Sequence, residues 1–250
     1  MFSISLDVTP DEVPLWEALH QISLQVPVQS WGVFGGQMVR LHAAIESVAF
    51  PRTTRDLDLG VDVRGHTREA MKKMAETLIG MGFSIETSID GVSRFRKEDV
   101  AIDLLAPEGM GSEKVSTAGS AYAVQAPGLS QAFNRMIAVK VMWNDRTTVI
   151  RTPSIIGALI SKAAACTEIL SLTADELLRH QQDLLFLSSL TNRHNLFEIS
   201  AGLTSTDRRR ITKALDPIIA NKEHRAWSTT QEPLDIEQTV TWLTQPGDDT

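Results

Sequence analysis

Two aspartates, Asp56 and Asp58, lie two positions apart in the segment DLDLGVD, where acidic and apolar residues alternate. On a β-strand, residues i and i+2 point to the same face, so both carboxylates would project from one side of the strand. Two anions this close disfavour each other's ionisation unless a cation compensates them. The spacing therefore predicts a strand that binds a divalent metal, and the alternative is an edge strand with a solvated acidic face.

A third acid and a glycine pair extend this site. Asp103 interrupts the otherwise apolar strand VAIDLL, where an acid is costly unless it is paired or bound to a metal, so we assign it as a third ligand. Gly35 and Gly36 follow the short apolar segment WGVF and precede a predicted helix. A glycine turn that leads into a helix N-terminus is a place where phosphate groups bind. Metal, phosphate and paired carboxylates together indicate nucleotide chemistry.

Capping signals and hydrophobic periodicity predict the elements that position these residues. The hydrophobic pattern of the sequence changes near Pro153 from one typical of strands to one typical of helices. We therefore predict one domain over residues 1–152 and a helical domain over 153–250. The predicted strands span 31–34, 57–63, 83–89, 93–97, 100–105, 138–143 and 147–151, and Asp90-Gly91 is predicted as a hairpin turn. The predicted helices span 9–23, 37–47, 67–80, 154–169, 173–190, 207–220 (capped by Thr206) and 235–244.

The composition is that of a globular protein, with 42% hydrophobic and 22% charged residues in 250. A net charge of −7 excludes a wholly basic surface that would coat nucleic acid. The single cysteine, Cys166, excludes an intrachain disulfide and a zinc cluster. Since no apolar run approaches the ~20 residues that span a bilayer and no signal peptide is evident, we expect a cytoplasmic protein with no membrane partner.

The glycine pair followed by DLDL and a distant strand acid resembles the polymerase-β-like nucleotidyltransferases. The resemblance implies an α+β fold, with a mixed-sheet nucleotidyltransferase domain followed by an α-helical domain. It also implies Mg²⁺ as the cofactor, as two ions ~4 Å apart. Asp56 and Asp58 would share the ions, and Asp103 would complete one of them and accept the proton of the attacking hydroxyl. Gly35 and Gly36 would let the backbone approach the triphosphate.

In more detail, the chain resembles the AbiEii/AbiGii-type nucleotidyltransferase toxins of type IV toxin–antitoxin systems, which include the MenT toxins. The residues that carry this resemblance are Gly35-Gly36, the motif Arg52-Thr53-Thr54-Arg55-Asp56-Leu57-Asp58, Lys162, and Arg179 with Asp183-Leu184. It departs from the family at His180, where an acid is usual, and in the longer interval between the glycines and Asp56.

This resemblance implies a function and its partners. The protein would transfer NMP from an NTP such as ATP or CTP to an acceptor, the tRNA 3′ end being favoured, and so block translation and growth. A cognate antitoxin would neutralise it. Alternatively, the acceptor is a small molecule, such as an antibiotic, or a protein. A second alternative is a non-catalytic nucleotide-binding regulatory module.

The resemblance also implies roles for individual residues. Asp56, Asp58, Asp103, Lys162 and Asp183 would be catalytic, and the site would lie in the cleft between the two domains. The nucleotide-binding residues would be Gly35, Gly36, Arg52, Thr54, Arg55, Lys162 and Arg179, and Thr54 would also be a candidate phosphorylation site.

For several of these residues a structural role is the alternative. Lys162 lies in the apolar helix ALISKAAA, where a buried lysine needs an anionic partner, and Asp183 on the next helix can supply it. A salt bridge between helices is thus an alternative to a shared nucleotide contact. Arg52 and Arg55 could equally neutralise the acidic strand.

One basic cluster, Arg208-Arg209-Arg210 with Lys213, is a candidate RNA contact. Three successive arginines fan around a helix, so an ordinary solvated face is the alternative for this cluster.

Overall fold

The computed structural model describes residues 1–52, 54–64, 68–87, 92–109, 115–117, 122–191, 196–229 and 233–244. The chain divides into two compact units, Met1–Pro153 and Ser154–Thr250. Thr53 of the Arg-Thr-Thr-Arg motif and the predicted Asp90-Gly91 turn lie outside the described residues.

Strands dominate the first unit and form two sheets. The strands are β1 Phe2–Ser5, β2 Trp31–Phe34, β3 Asp56–Val61, β4 Ser84–Thr87, β5 Ser93–Lys97, β6 Val100–Pro107, β7 Val124–Ala126, β8 Met136–Trp143 and β9 Arg146–Pro153. The larger sheet has the order β2-β3-β6-β5-β4, and β7 also pairs with β6. The smaller sheet has the order β1-β8-β9. Parallel pairs (β3–β6, β1–β8, β6–β7) and antiparallel pairs (β2–β3, β4–β5, β5–β6, β8–β9) coexist, so the predicted mixed sheet is confirmed.

Four helices of the described residues belong to this unit: α1 Val13–Gln25, α2 Gly35–Ile45, α3 Arg68–Gly80 and α4 Leu129–Phe133. α1 packs against α3 and β9, while α2 packs against β1, β2 and β3. The sequence β2, α2, β3 is the strand, glycine-opened helix and acid-bearing strand on which the polymerase-β-like resemblance depends. α2 therefore begins directly beside the strand that carries the paired aspartates.

One face of the larger sheet is apolar and lies in the hydrophobic core of the first unit. Leu57 and Leu59 of β3, Ile102 and Leu104 of β6, and Phe95 of β5 are fully buried in the hydrophobic core. Because side chains alternate along a strand, the residues between them must point to the opposite face. Burying these five side chains, at about 1.5–3 kcal/mol each, fixes the register that brings the polar residues together.

The second unit is helical: α5 Ile155–Glu168, α6 Ala174–Thr191, α7 Leu196–Ala201, α8 Ser205–Ile219 and α9 Pro233–Thr244. α5 packs against α6 and α8, and α9 packs against α6, α7 and α8. Ser154 caps α5 by accepting a hydrogen bond from the Gly157 amide, and Thr173 forms a capping box with Glu176 at α6.

Local signals identified most elements, with a few errors. Thr206 is not the cap of α8, because Thr204 and Asp207 form a reciprocal capping box two residues earlier. Strands β1 and β7 and helices α4 and α7 were not predicted. None of the helices in the described residues combines the length and apolar character needed to cross a membrane.

Candidate active site

Three carboxylates meet on the polar face of the larger sheet. β3 pairs in parallel with β6 so that Asp58 lies opposite Asp103, and Asp56 lies opposite Ala101. Register partners on neighbouring strands project to the same side and lie about 5 Å apart. Asp56, Asp58 and Asp103 therefore form one cluster, which we call the acid face. Asp58 and Asp103, which come from separate sequence segments, are thus neighbours on adjacent strands.

Gly35 brings the start of α2 against this cluster. Its φ of +61° is in the left-handed region, and a Cβ built on it would lie 1.7 Å from Oδ2 of Asp58. Every other residue type would clash with that carboxylate and also strain the backbone. The first turn of a helix, with its unpaired amide groups, thus directly adjoins an acid of β3.

Gly36 has a different neighbourhood. A Cβ there would lie 2.8 Å from both Nη2 of Arg52 and Oγ1 of Thr54. Gln37 donates a hydrogen bond from Nε2 to the carbonyl oxygen of Thr54 at 2.9 Å, which holds the segment before β3 against α2. Thr54 is buried, and its hydroxyl donates to the carbonyl oxygen of Asp56 at 3.4 Å. Gly36, Arg52 and Thr54 are thus brought together beside the acid face.

Arg55 takes a different direction from its neighbours. Its guanidinium forms ion pairs with Asp11 at 3.0 Å and Asp99 at 3.8 Å, and about half of its side chain is exposed. The structure does not show it at the acid face, and its role in nucleotide binding stays a prediction. Arg52, in contrast, places its guanidinium over the ring of Phe50, 5.3 Å from the ring centroid.

Sequence reasoning did not single out Arg94, which binds the acid face directly. Its Nε lies 2.9 Å from Oδ1 of Asp103 and its Nη2 lies 2.6 Å from Oδ2, a bidentate ion pair. The hydrogen bonds that Arg94 donates to Asp103 raise the pKa of Arg94, and the charges of Asp103, Asp56 and Asp58 raise it further against the opposing effect of burial. The Arg94 guanidinium therefore experiences all three carboxylates.

The hairpin register could have identified this arginine. Strands at 93–97 and 100–105 leave only Glu98 and Asp99 for the turn, which pairs Lys97 with Val100. Counting back along both strands then sets Arg94 opposite Asp103, as observed.

The donor chemistry of the acid face fits magnesium, which prefers carboxylate oxygens. Asp56 and Asp58 present such oxygens on one face, and the missing Cβ of Gly35 leaves the space that the Asp58 carboxylate occupies. Asp103 would have to exchange its guanidinium partner for a metal. Within the described ranges, no three His, Cys, Asp or Glu side chains are already grouped as a metal cage. The metal ligands therefore stay a prediction.

Lys162 and Asp183 pair inside the second unit. Their Nζ and Oδ2 atoms lie 2.7 Å apart, and only 4% and 3% of the two side chains are exposed. The anionic partner predicted for a lysine in an apolar helix is thus Asp183. Nearby, burial and the Asp183 charge raise the pKa of Cys166 to about 12, although the Lys162 charge opposes them. A catalytic role of the pair, in a cleft shared with the acid face, stays a prediction.

The remaining predicted phosphate ligand, Arg179, is exposed on α6, one turn before Asp183. The structure places it on the same helix as the buried acid but on the solvated part of its surface. Its proposed contact with the nucleotide stays a prediction.

The predicted basic cluster does not form one exposed surface. The guanidinium of Arg208 is buried and donates to the backbone carbonyls of Ser200 and Leu243. Arg210 forms a bidentate pair with Glu168 at 2.6 and 3.2 Å. Arg209 and Lys213 are exposed. Because α8 turns its apolar side inward, it takes Arg208 into the unit, and two of the four cations are left facing solvent.

Comparison with known proteins does not identify a family for the chain. No protein-family model and no curated protein sequence matches the chain. Among solved structures, the chain is similar to the solution structure of the antibiotic-resistance factor ANT(2″)-Ia, with 12% sequence identity and a TM-score of 0.40. The match covers 85% of this chain and 96% of that one. Similarity at this level does not identify the residues of a site. The candidate site is therefore defined by the geometry of this chain alone.

Proposed function

We propose that the chain is a magnesium-dependent nucleotidyltransferase that transfers NMP from an NTP to a hydroxyl acceptor. The observation that carries this proposal is the convergence of Asp58 and Asp103 with the glycine-opened start of α2. Carboxylates that can hold metal and a helix start that can hold phosphate are the two requirements for reaction at an α-phosphate.

The chain's own residues would divide the work. The amides at the start of α2 and the cations Arg52 and Arg94 would hold the triphosphate, and Asp103 would accept the proton of the attacking hydroxyl. The acceptor oxygen would form a bond to the α-phosphorus while the bond to the β-phosphate oxygen breaks and pyrophosphate leaves. Magnesium held by Asp56, Asp58 and Asp103 would supply charge neutralisation at the phosphate oxygens.

The test is incubation of the protein with each labelled NTP and total cellular RNA. Transfer of label to RNA, with release of pyrophosphate, is the expected result. Asp58→Asn should reduce transfer by about 100-fold or more, because a lost metal ligand removes several kcal/mol of stabilisation from the transition state. The matched control is Asp62→Asn, an acid just after the end of β3 that binds Arg64 instead. Equal rates for Asp58→Asn and the wild type would refute the metal assignment.

For the acceptor, we propose the 3′ end of tRNA, and for the biological outcome, arrest of translation and growth that a cognate antitoxin relieves. This extension is supported by the likeness of Gly35-Gly36 and of the Arg52 to Asp58 motif to the AbiEii/AbiGii-type toxins. Induced expression of the wild type in bacteria should stop growth, whereas Asp58→Asn should not. Mass spectrometry of tRNA from the arrested cells would identify the added nucleotide.

A second candidate acceptor is a small molecule such as an antibiotic. The observation that favours it is that Arg208 bonds to a backbone carbonyl and Arg210 bonds to Glu168. These contacts leave α8 with less cationic surface for RNA. Charge reversal at Arg209 and Lys213 separates the two acceptors. Lost transfer to RNA with unchanged pyrophosphate release on a small acceptor favours RNA, while unchanged transfer to RNA removes α8 from the acceptor site.

A further inference from the structure

We propose that Arg94 acts as the internal cation of the acid face, so that a divalent metal must displace it from Asp103. The inference rests on the proposed function, since it takes Asp103 as a metal ligand there. It goes further by assigning a competitor to the metal within the chain itself.

Arg94 and Asp103 form a bidentate ion pair. Nε and Nη2 of Arg94 each bond to a different oxygen of Asp103, so the guanidinium engages the whole carboxylate. A metal ion on the same carboxylate would lie within a few ångströms of the guanidinium, and two cations that close repel each other. Metal and Arg94 therefore exclude one another at Asp103.

The two side chains of the pair differ in their exposure to solvent. The Arg94 side chain is 45% exposed, whereas that of Asp103 is 14% exposed. The cation is thus the solvent-side member of the pair, and its charged end can swing into water without opening the core. The Asp103 carboxylate would stay in place on β6, next to Asp58.

The positive charge of Arg94 interacts with all three carboxylates of the acid face. Asp56 and Asp58 add to the electrostatic stabilisation of the Arg94 guanidinium, so this one cation compensates all three acids in part. Removing its charge leaves three carboxylates on one sheet face with greater demand for a cation. Divalent metal should then bind more tightly.

The experiment is a titration of the nucleotide-free protein with Mn²⁺, in which electron paramagnetic resonance measures the free ion. For Arg94→Gln we expect Mn²⁺ to bind about tenfold more tightly than to the wild type, because the ion no longer meets a positive charge bonded to the same carboxylate. The matched control is Arg96→Gln, which removes the same charge from the same face of β5 but breaks a pair with Glu86. It should change the Mn²⁺ affinity by less than about twofold, because Arg96 bonds to Glu86 and not to a carboxylate of the acid face, and solvent screens the more distant charge.

Two further variants keep the test decisive. Arg94→Lys retains the charge but loses the bidentate fork, and it should tighten Mn²⁺ binding by about threefold, between wild type and Arg94→Gln. It decides the matter alone if Arg94→Gln does not fold. In Arg94→Gln/Asp103→Asn the gain should disappear, since the competed carboxylate is gone. Unchanged or weaker Mn²⁺ binding in both single variants would overturn the proposal.

The titration needs no turnover, so its outcome separates from that of the proposed function. Tighter Mn²⁺ binding in Arg94→Gln with no nucleotidyl transfer by the wild type would retain the role of Arg94 and reject the enzyme. Transfer by the wild type with unchanged Mn²⁺ affinity in Arg94→Gln would retain the enzyme and reject the role of Arg94.

Discussion

Each unit of the chain holds an aspartate and a cation at nearly the same distance, yet the two pairs differ in environment. Asp103 and Arg94 approach to 2.6 Å with the arginine 45% exposed, whereas Asp183 and Lys162 approach to 2.7 Å with both side chains below 5% exposure. Exposed pairs contribute about 0–1 kcal/mol, while removing one partner of a buried pair costs about 3–5 kcal/mol. Contact distance alone therefore does not tell which aspartate can accept a new partner.

The difference suggests different uses. In the proposed role, the pair in the first unit would open for a metal ion, and water would solvate the guanidinium when it leaves. The pair in the second unit joins α5 to α6 and has no such replacement, because either charge would be left alone in an apolar interior. A catalytic function of Lys162 would require a substrate that supplies an anion as Asp183 does now.

The largest expected effect comes from breaking the buried pair. Lys162→Met should lower the free energy of unfolding by about 3–5 kcal/mol, because it leaves the Asp183 charge buried and uncompensated. Urea unfolding followed by circular dichroism measures this loss. The double variant Lys162→Met/Asp183→Leu should recover most of it. A single-variant loss below about 1 kcal/mol would show that the pair is open to water.

A smaller loss is expected for the buried arginine of α8. Arg208→Ala should cost about 2–3 kcal/mol, since its charged hydrogen bonds to the Ser200 and Leu243 carbonyls are lost. Its neighbour provides the control, because Arg209 is exposed and Arg209→Ala should change stability by less than about 0.5 kcal/mol. Equal values from urea unfolding would contradict the inward orientation of Arg208.

The exposed pair should contribute little to stability. Arg94→Gln should lower the free energy of unfolding by less than about 1 kcal/mol, because solvent screens a half-exposed pair. The measurement is the same urea unfolding at pH 7 used for Lys162→Met. A loss as large as that of Lys162→Met would remove the contrast between the two pairs.

Cys166, beside the buried pair, should react only slowly with an alkylating reagent at neutral pH. Burial raises the pKa of the Cys166 thiol to about 12, so the thiolate that reacts with iodoacetamide is scarce at neutral pH. In the folded protein the alkylation rate should keep rising with pH beyond pH 10, while the denatured protein should reach its plateau near a pKa of about 8.5. A folded-state plateau below pH 10 would show that burial does not hold the proton on this thiol.

Local patterns predicted the parts of the acid site that depend on neighbours in sequence. Alternation around Asp56 and Asp58 placed both on one face, and the apolar run around Asp103 marked a buried strand. The two segments converge because the strands are apolar on their other side, where Leu57 and Ile102 are buried in the core.

Features set by distant partners were not predictable in this way. β1 is a four-residue strand whose partner is β8, and nothing in FSIS indicates that pairing. Arg94 and Arg96 look equivalent in SRFRK, and only the register of β5 on β6 separates them. The inward turn of Arg208 follows from the packing of α8, since three successive arginines look alike in sequence.

The central place of β6 has a consequence for how the protein is made. Asp58 and Asp103 become neighbours only when β6 pairs in parallel with β3, after α3 and the β4–β5 strands between them have been synthesised. Parallel pairing across such a long segment is slow, since the chain must close a large loop before any contact rewards it. A nascent chain would therefore lack the acid face until β6 docks, and a ligand that binds only the docked form would favour completion of folding by mass action.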